Sequence, residues 1–155
     1  MVDRLSPILK EEGAEAISFS LIRTERMRLP ELDLALKEID KYKWIVFTSA
    51  NGVECFFEEM QEIRKDIRDL AHIRFAVIGD GTKKALEDHG IFCDFIPTAY
   101  SSKDMAEAMV PHIGRDERVL LLRAEEANRV LPDALKEAGI PHTCISLYHT
   151  VNDER

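Results

Sequence analysis

Residues 44–53 read Trp-Ile-Val-Phe-Thr-Ser-Ala-Asn-Gly-Val, an apolar strand-like run that passes directly into small polar residues and a glycine. A junction of this kind aims backbone N–H groups outward from the end of a sheet, where anionic ligands bind in open α/β folds. Thr48, Ser49 and the amides around Asn51 and Gly52 therefore have the donors to hold carboxylates, although Ser49 or Asn51 can equally serve as a helix cap. Gly79-Asp80-Gly81-Thr82 follows a second apolar run; its glycines admit close backbone approach, and Thr82 offers a hydroxyl at a helix start. It is not a dinucleotide fingerprint, because Lys84 stands where the third glycine would. Asp80 would repel a bound anion and is expected to point away from one. Ser101 and Ser102, after Tyr100, read either as ligand donors or as a cap. Arg123 ends another apolar run as a forked, permanently charged carboxylate ligand, or as an ion-pair partner of Glu125 or Glu126. Tyr148 ends the last run. A phenol with pKa near ~10 stays neutral and can donate to a departing oxygen, or it can simply pack in a core or interface.

The elements that must position these groups alternate between strand-like and helix-period segments. Leu5 to Glu12 reads as a helix stopped by Gly13, and Ala16 to Ile22 as a strand followed by a charged stretch. Pro30 opens a helix carrying Leu32, Leu36 and Ile39 at helical spacing. Trp44 to Phe47 is a central strand, with a helix from about Gly52 to Ile63 whose inner face holds Val53, Phe56, Phe57 and Met60. Phe75 to Ile78 and Phe92 to Ile96 read as strands, with a helix between them ending at His89-Gly90. A helix after Ser101–Ser102, the strand Val119 to Leu122, the helix Val130 to Ala138 stopped by Gly139, and the strand Thr143 to Tyr148 complete the chain. Strands separated by helices of this length imply right-handed crossovers and a parallel sheet, an α/β three-layer βαβ domain.

The 155 residues are 45% hydrophobic and 32% charged, as in a soluble globular protein. No apolar run approaches membrane-span length and no signal pattern opens the chain, so cytoplasmic residence is the expectation. Cys55, Cys93 and Cys144 lie far apart in apolar contexts and read as buried free thiols; with the histidines scattered as well, no metal site is expected. A net charge of −8 argues against nucleic-acid binding.

An offset of 126 residues aligns Leu5, Leu9, Lys10, Glu11 and Gly13 with Leu131, Leu135, Lys136, Glu137 and Gly139, then Ser20, Leu21 and Thr24 with Ser146, Leu147 and Thr150. Leucine spacing and a glycine stop recur in any βαβ protein, but the match continues through the following strand, which favours a duplication. The counterpart of the Val119 strand would then fall before Met1, and that of the Trp44 strand beyond Arg155. The expectation is a longer, two-repeat protein.

Phe47 to Val53 resembles the Phe-Thr-Ser-Ala-Asn-Gly-Val signature of uroporphyrinogen-III synthases. The turn at Gly79 to Thr82 is similar to that family's Val-Gly-x-x-Thr, and Tyr100-Ser101-Ser102 to its Tyr-Thr/Ser-Ser. Leu122-Arg123-Ala124-Glu125 resembles its Pro-Arg-Ala/Gly-Glu with leucine for proline, and Tyr148-His149-Thr150 its Tyr-x-Thr. The likeness covers essentially the whole chain. It implies one half of a two-domain architecture: residues 1–28 as a helix–strand fragment of the first domain and connector, 29–148 as the second domain, 149–155 as connector and tail. It also implies a cyclising hydro-lyase of porphyrin and heme biosynthesis that needs no cofactor. Its substrate would be hydroxymethylbilane, which loses its terminal hydroxyl to give an azafulvene and closes through a spiro intermediate with ring D inverted. Thr48, Ser49, Asn51, Gly52, Gly79, Thr82, Ser101, Ser102 and Arg123 would bind substrate, and Tyr148 would assist departure of the hydroxyl.

The carboxylate-rich substrate sits uneasily with an acidic protein, so binding would rest on local donors. A fusion with an upstream methyltransferase of the same pathway is one arrangement compatible with this likeness. Two other readings stay open: a noncatalytic tetrapyrrole-binding or regulatory module, and a flavodoxin-like or receiver-type domain. The isolated chain is expected to have little activity, and its unpartnered 16–22 strand to promote self-association.

Overall fold

The computed structural model describes residues 22–26, 30–124 and 127–152. Strands β1 (Ile22–Arg26), β2 (Trp44–Phe47), β3 (Arg74–Val77), β4 (Val119–Ala124) and β5 (His142–Asn152) form a sheet in the order β1-β5-β4-β2-β3. The pairs β2–β3, β2–β4 and β4–β5 are parallel, and β1 joins antiparallel. The α/β class and parallel sheet expected from the alternating pattern are therefore present. Helices α1 (Pro30–Lys37), α2 (Ala50–Glu62), α3 (Asp80–Asp88), α4 (Ser102–Met109) and α5 (Val130–Glu137) flank it on both sides.

Alternation along the strands sorts the core into two layers. Ile45, Phe47, Phe75, Val77, Leu120, Leu122, Ile145 and Leu147 face α1, α2 and α3. Trp44, Val46, Ala76, Ile78, Val119 and Leu121 face α4 and α5. Phe47 centres the first layer, edge-on to Phe56 at 5.4 Å and stacked with Phe75 at 6.4 Å. All four β2 residues are buried, as a strand covered on both faces must be.

The chain goes from β2 through α2 to β3 on one side, then returns across β2 to pair β4 on the other. The strand order thus reverses between β2 and β4. In open α/β sheets, the crevice outside the carboxyl ends at such a reversal is where ligands bind.

Helix boundaries follow local chemistry. Pro30 opens α1 with its ring-fixed φ, and Leu32, Ala35 and Leu36 form its buried stripe. Gly139 stops α5 at φ +68°, where its N–H reaches Lys136 O at 3.1 Å and the N–H of Ile140 reaches Leu135 O at 3.0 Å.

Several expectations need correction. Phe92 to Ile96 forms no strand, only a single bridge of Phe95 to Ala76. The Asp94 carboxylate accepts the Phe75 N–H at 2.8 Å, so a side chain occupies a donor that a further strand would need. The last strand continues beyond Tyr148 to Asn152 because β1 pairs with that extension. The charged stretch after Ile22 is therefore strand as far as Arg26. Helix α2 starts two residues earlier than expected, at Ala50. Cys144 is exposed, because the layer under α4 and α5 includes no β5 residue; Cys55 is buried and Cys93 half-buried. The expected helix at 5–12, all but the last residue of the strand at 16–22, and the first copy of the repeat except Thr24 lie outside the described residues. Among the described residues, no helix is long and apolar enough to cross a membrane.

At the amino edge of the sheet, Glu117 Oε2 accepts the Gly114 N–H at 3.0 Å and the Trp44 indole N–H at 3.1 Å. These two hydrogen bonds, the backbone one first, hold its carboxyl below the ordinary glutamate value of 4.5. A depressed folded pKa stabilises fully above the unfolded value and is lost as pH falls through the folded one. Urea titrations between pH 7 and 3 should show wild-type stability falling below pH ~4.5 more steeply than that of Glu117→Gln. Parallel curves would contradict this.

Candidate functional site

Ser49 sits in an extended conformation between β2 and α2, and its Oγ accepts the Gly52 N–H at 3.2 Å. This is a helix cap, as one sequence reading held. The same Oγ makes a hydrogen bond with the Tyr148 hydroxyl. Two residues 99 apart in sequence thus meet at the carboxyl edge of the sheet.

Gly52 lies beside this contact. It is buried, and a Cβ there would lie 3.3 Å from Ser49 Oγ and 3.9 Å from both Leu122 O and Tyr148 Cε1. The first turn of α2 thus lies against the ends of β4 and β5 at ordinary contact distance, and a side chain at position 52 would crowd the serine.

Tyr148 reaches this position through a bulge. Strands β4 and β5 pair Arg123 with Ser146 and then Ala124 with Tyr148, so Leu147 is an extra residue on β5. Strict alternation would send Tyr148 to the same face as Ser146, under α4 and α5. With the bulge, Leu147 and Tyr148 both join the layer beneath α2, at 1% and 5% exposure. Nothing in the sequence signals this extra residue. Gly52 was the available clue to close packing, and it has no meaning until its neighbours are known.

The second turn lies beside the first, at the end of the neighbouring strand. Gly79 precedes α3 with φ +89° and ψ 153°, a region open in practice only to glycine. A Cβ there would meet nothing within 4 Å, so torsion and not crowding requires the glycine. Thr82 is buried on the stripe of α3 that also holds Ala85 and Leu86. Asp80 is exposed and accepts the Tyr100 hydroxyl at 2.9 Å; that carboxylate holds the Tyr100 pKa above the ordinary phenol value. Ser101 caps α4 by accepting the Asp104 N–H at 3.1 Å, and Ser102 is its half-buried first residue. Thr48 is half-buried in the β2–α2 turn and Asn51 is exposed in the first turn of α2.

Arg123 does not join the serine–tyrosine pair. It alternates to the opposite face of β4 from Leu122, is buried at 6% exposure, and donates from Nη1 to Ala127 O at 2.8 Å and to Asn128 O. Its Nε is buried with no hydrogen-bond partner among the described residues. Glu125 and Glu126, the expected ion-pair partners, lie outside the described residues.

The electrostatics distinguish the helix N-termini. Asp80 and Asp104 stand in the first turns of α3 and α4, whereas α2 carries no acid in its first turn. Among the helices of the described residues, the start of α2 is thus the one whose partial positive charge no first-turn acid offsets, and it adjoins the Ser49–Tyr148 pair.

A family model described as uroporphyrinogen-III synthase HemD matches residues 3–155. A Ruminiclostridium josui protein described as a porphyrin biosynthesis protein HemD is 30% identical over 145 residues, covering 92% of this chain and 28% of that protein. A putative uroporphyrinogen-III synthase of Methanothermobacter thermautotrophicus is 25% identical, covering 85% of this chain and 51% of its own length. Among solved structures, a mutant uroporphyrinogen III synthase from Thermus thermophilus superposes with TM-score 0.69 at 18% identity, over 98% of this chain and 60% of that one. The Helicobacter pylori enzyme superposes with TM-score 0.61 at 22% identity, over 91% and 60%. The chain thus spans about half or less of these two curated relatives.

The cap and the cross-sheet hydrogen bond share one oxygen, so their energies are coupled. Ser49→Ala should cost about 1–2 kcal/mol in urea unfolding of the chain. Tyr148→Phe should cost about 1 kcal/mol, and the double variant less than the sum. Strict additivity would show that the two hydroxyls do not interact in solution.

Proposed function

The chain belongs to the uroporphyrinogen-III synthase family, and on that premise we propose that it forms one wall of the cleft in which a longer synthase closes hydroxymethylbilane to the type III tetrapyrrole. The observation that carries this reading is the Ser49–Tyr148 pair beside the open N-terminus of α2, at the carboxyl edge of the sheet. The substrate is a linear tetrapyrrole with acetate and propionate side chains. The turn from Thr48 to Asn51 at the start of α2 suits its carboxylates, with Gly52 shaping the turn while its N–H stays on Ser49 Oγ, as do the turn at Gly79 and the hydroxyls of Ser101 and Ser102. Thr82 is buried and acts from beneath the turn, by packing the first turn of α3. Arg123 orders the loop that follows β4 by gripping two of its carbonyls, and its buried Nε is a donor without a partner among the described residues.

Tyr148 is placed to assist departure of the terminal hydroxyl. Hydrogen-bond or proton donation from a positioned phenol contributes to the barrier, while most of the isomer selection comes from holding ring D in one geometry. The reaction is that of a cyclising lyase in porphyrin biosynthesis. The antiparallel β1–β5 pair would carry the chain to and from a first domain, with residues 1–28 belonging to that domain and connector, 29–148 to the second domain, and 149–155 to the return. Location in the cytoplasm and self-association through residues 16–22 belong to the same reading.

The test is to give the full-length protein hydroxymethylbilane and separate the product isomers. Type III product is expected well above the spontaneous background, and Tyr148→Phe should lower kcat by about 100-fold. Formation of type I alone, at the uncatalysed rate, would overturn the reading. Tight tetrapyrrole binding without ring closure would instead assign a noncatalytic module.

A further inference from the structure

Ser49 Oγ is an acceptor for the Gly52 N–H and a partner of the Tyr148 hydroxyl at the same time. We propose that Ser49 is a positioning residue that acts on the reaction through Tyr148, and that the two form a donor relay running from Gly52 N–H to Ser49 Oγ–H to the Tyr148 oxygen. This rests on the reading of Tyr148 as the group that assists hydroxyl departure.

The direction of the relay follows from its surroundings. With an oxygen lone pair engaged by the Gly52 amide, the serine hydroxyl hydrogen is polarised for donation. The first turn of α2 has no acid to offset its partial positive charge, which favours electron density on the oxygens ahead of it. Tyr148 then receives a hydrogen bond and keeps its own hydrogen for the substrate. Were the relay reversed, that hydrogen would point at Ser49 and be withheld from any ligand. The bulge at Leu147 and the missing side chain at Gly52 both serve this one juxtaposition.

In the step itself, the Tyr148 hydrogen passes to the departing hydroxyl oxygen. The carbon–oxygen bond breaks with both electrons leaving on that oxygen, which departs as water. The pyrrole nitrogen lone pair closes a ring C=N bond as the ring π electrons shift into the exocyclic double bond, and because the N–H is retained the product is an azafulvenium cation that balances the tyrosinate. The negative charge left on the Tyr148 oxygen is held by the Ser49 O–H, itself supported by the Gly52 N–H. When ring D loses a proton after closure, that proton returns the tyrosine to its starting state, so only water is released overall.

The experiment compares serine variants in the full-length protein with hydroxymethylbilane as substrate. Ser49→Ala should lower kcat about 10- to 100-fold with KM within about twofold of the parent. Ser49→Thr, which keeps the hydroxyl, should restore most of the rate. Ser49→Asp caps a helix well but accepts and cannot donate, so it should leave kcat at least as low as alanine does while the protein stays folded. In combination with Tyr148→Phe, Ser49→Ala should add no further loss. A rise in KM with unchanged kcat, recovery of kcat by Ser49→Asp, or multiplying losses in the double variant would each overturn the relay. An unsubstituted protein that makes no type III product fails on the underlying function. Active parent enzyme with an equally active Ser49→Ala variant fails on the relay alone.

Discussion

The contact on which this architecture turns is the close packing of the first turn of α2 against the ends of β4 and β5, at Gly52. Strand β2 is only four residues long and gives way to the helix after Thr48 and Ser49. So short a turn leaves little freedom in where the helix can start. It lies over the neighbouring strands at ordinary contact distance from the Leu122 carbonyl and the Tyr148 ring, and a side chain at position 52 would crowd the Ser49 hydroxyl, 3.3 Å from its Cβ. The cap, the cross-sheet hydrogen bond and the orientation of the α2 amides all follow from that approach. The phenylalanines beneath α2 hold the helix at this depth, because burying their rings is worth more than any single hydrogen bond in the site.

A chain with a net charge of −8 is a poor attractor of a polyanion at long range. Fields from exposed acids are largely screened beyond about 8–10 Å in physiological salt, however. At contact distance, the outcome depends on which donors are already spoken for. Helices α3 and α4 begin with an aspartate that offsets their own dipoles, and Asp80 and Asp104 also engage local hydroxyls. Helix α2 has no such acid, and its cap is a neutral serine. The N-terminus of α2, beside Ser49 and Tyr148, thus keeps its partial positive charge without a first-turn acid to offset it.

The sheet divides the family's signature residues between its two faces. Ser49 and Tyr148 belong to the layer with α2, while Arg123 turns to the other side and binds the carbonyls of Ala127 and Asn128. An arginine at a strand end can recognise a ligand directly or fix the backbone that does so. A buried guanidinium that has bound two carbonyls has already satisfied much of its desolvation requirement. What Arg123 fixes directly is the backbone at Ala127 and Asn128.

The parallel sheet, the order of the helices and their stops could be read directly from the residues. Four consecutive apolar residues at 44–47 need cover on both faces, Pro30 can only begin a helix, and Gly139 suits only its end. The cap at Ser49 was legible as well, because a serine between an apolar strand and a helix can accept a first-turn N–H. Tertiary structure alone decided which of these residues meet. Phe92 to Ile96 has strand composition, yet Asp94 takes the donor its pairing would have used. Residues 23–26 are charged and still form a strand, because β5 extends alongside them. Alternation assigns Tyr148 to the wrong face, and one extra residue in β5 returns it to Ser49. Local propensity depends on side chains that neighbour one another along the chain, whereas a bulge or a shared hydroxyl depends on partners about a hundred residues away.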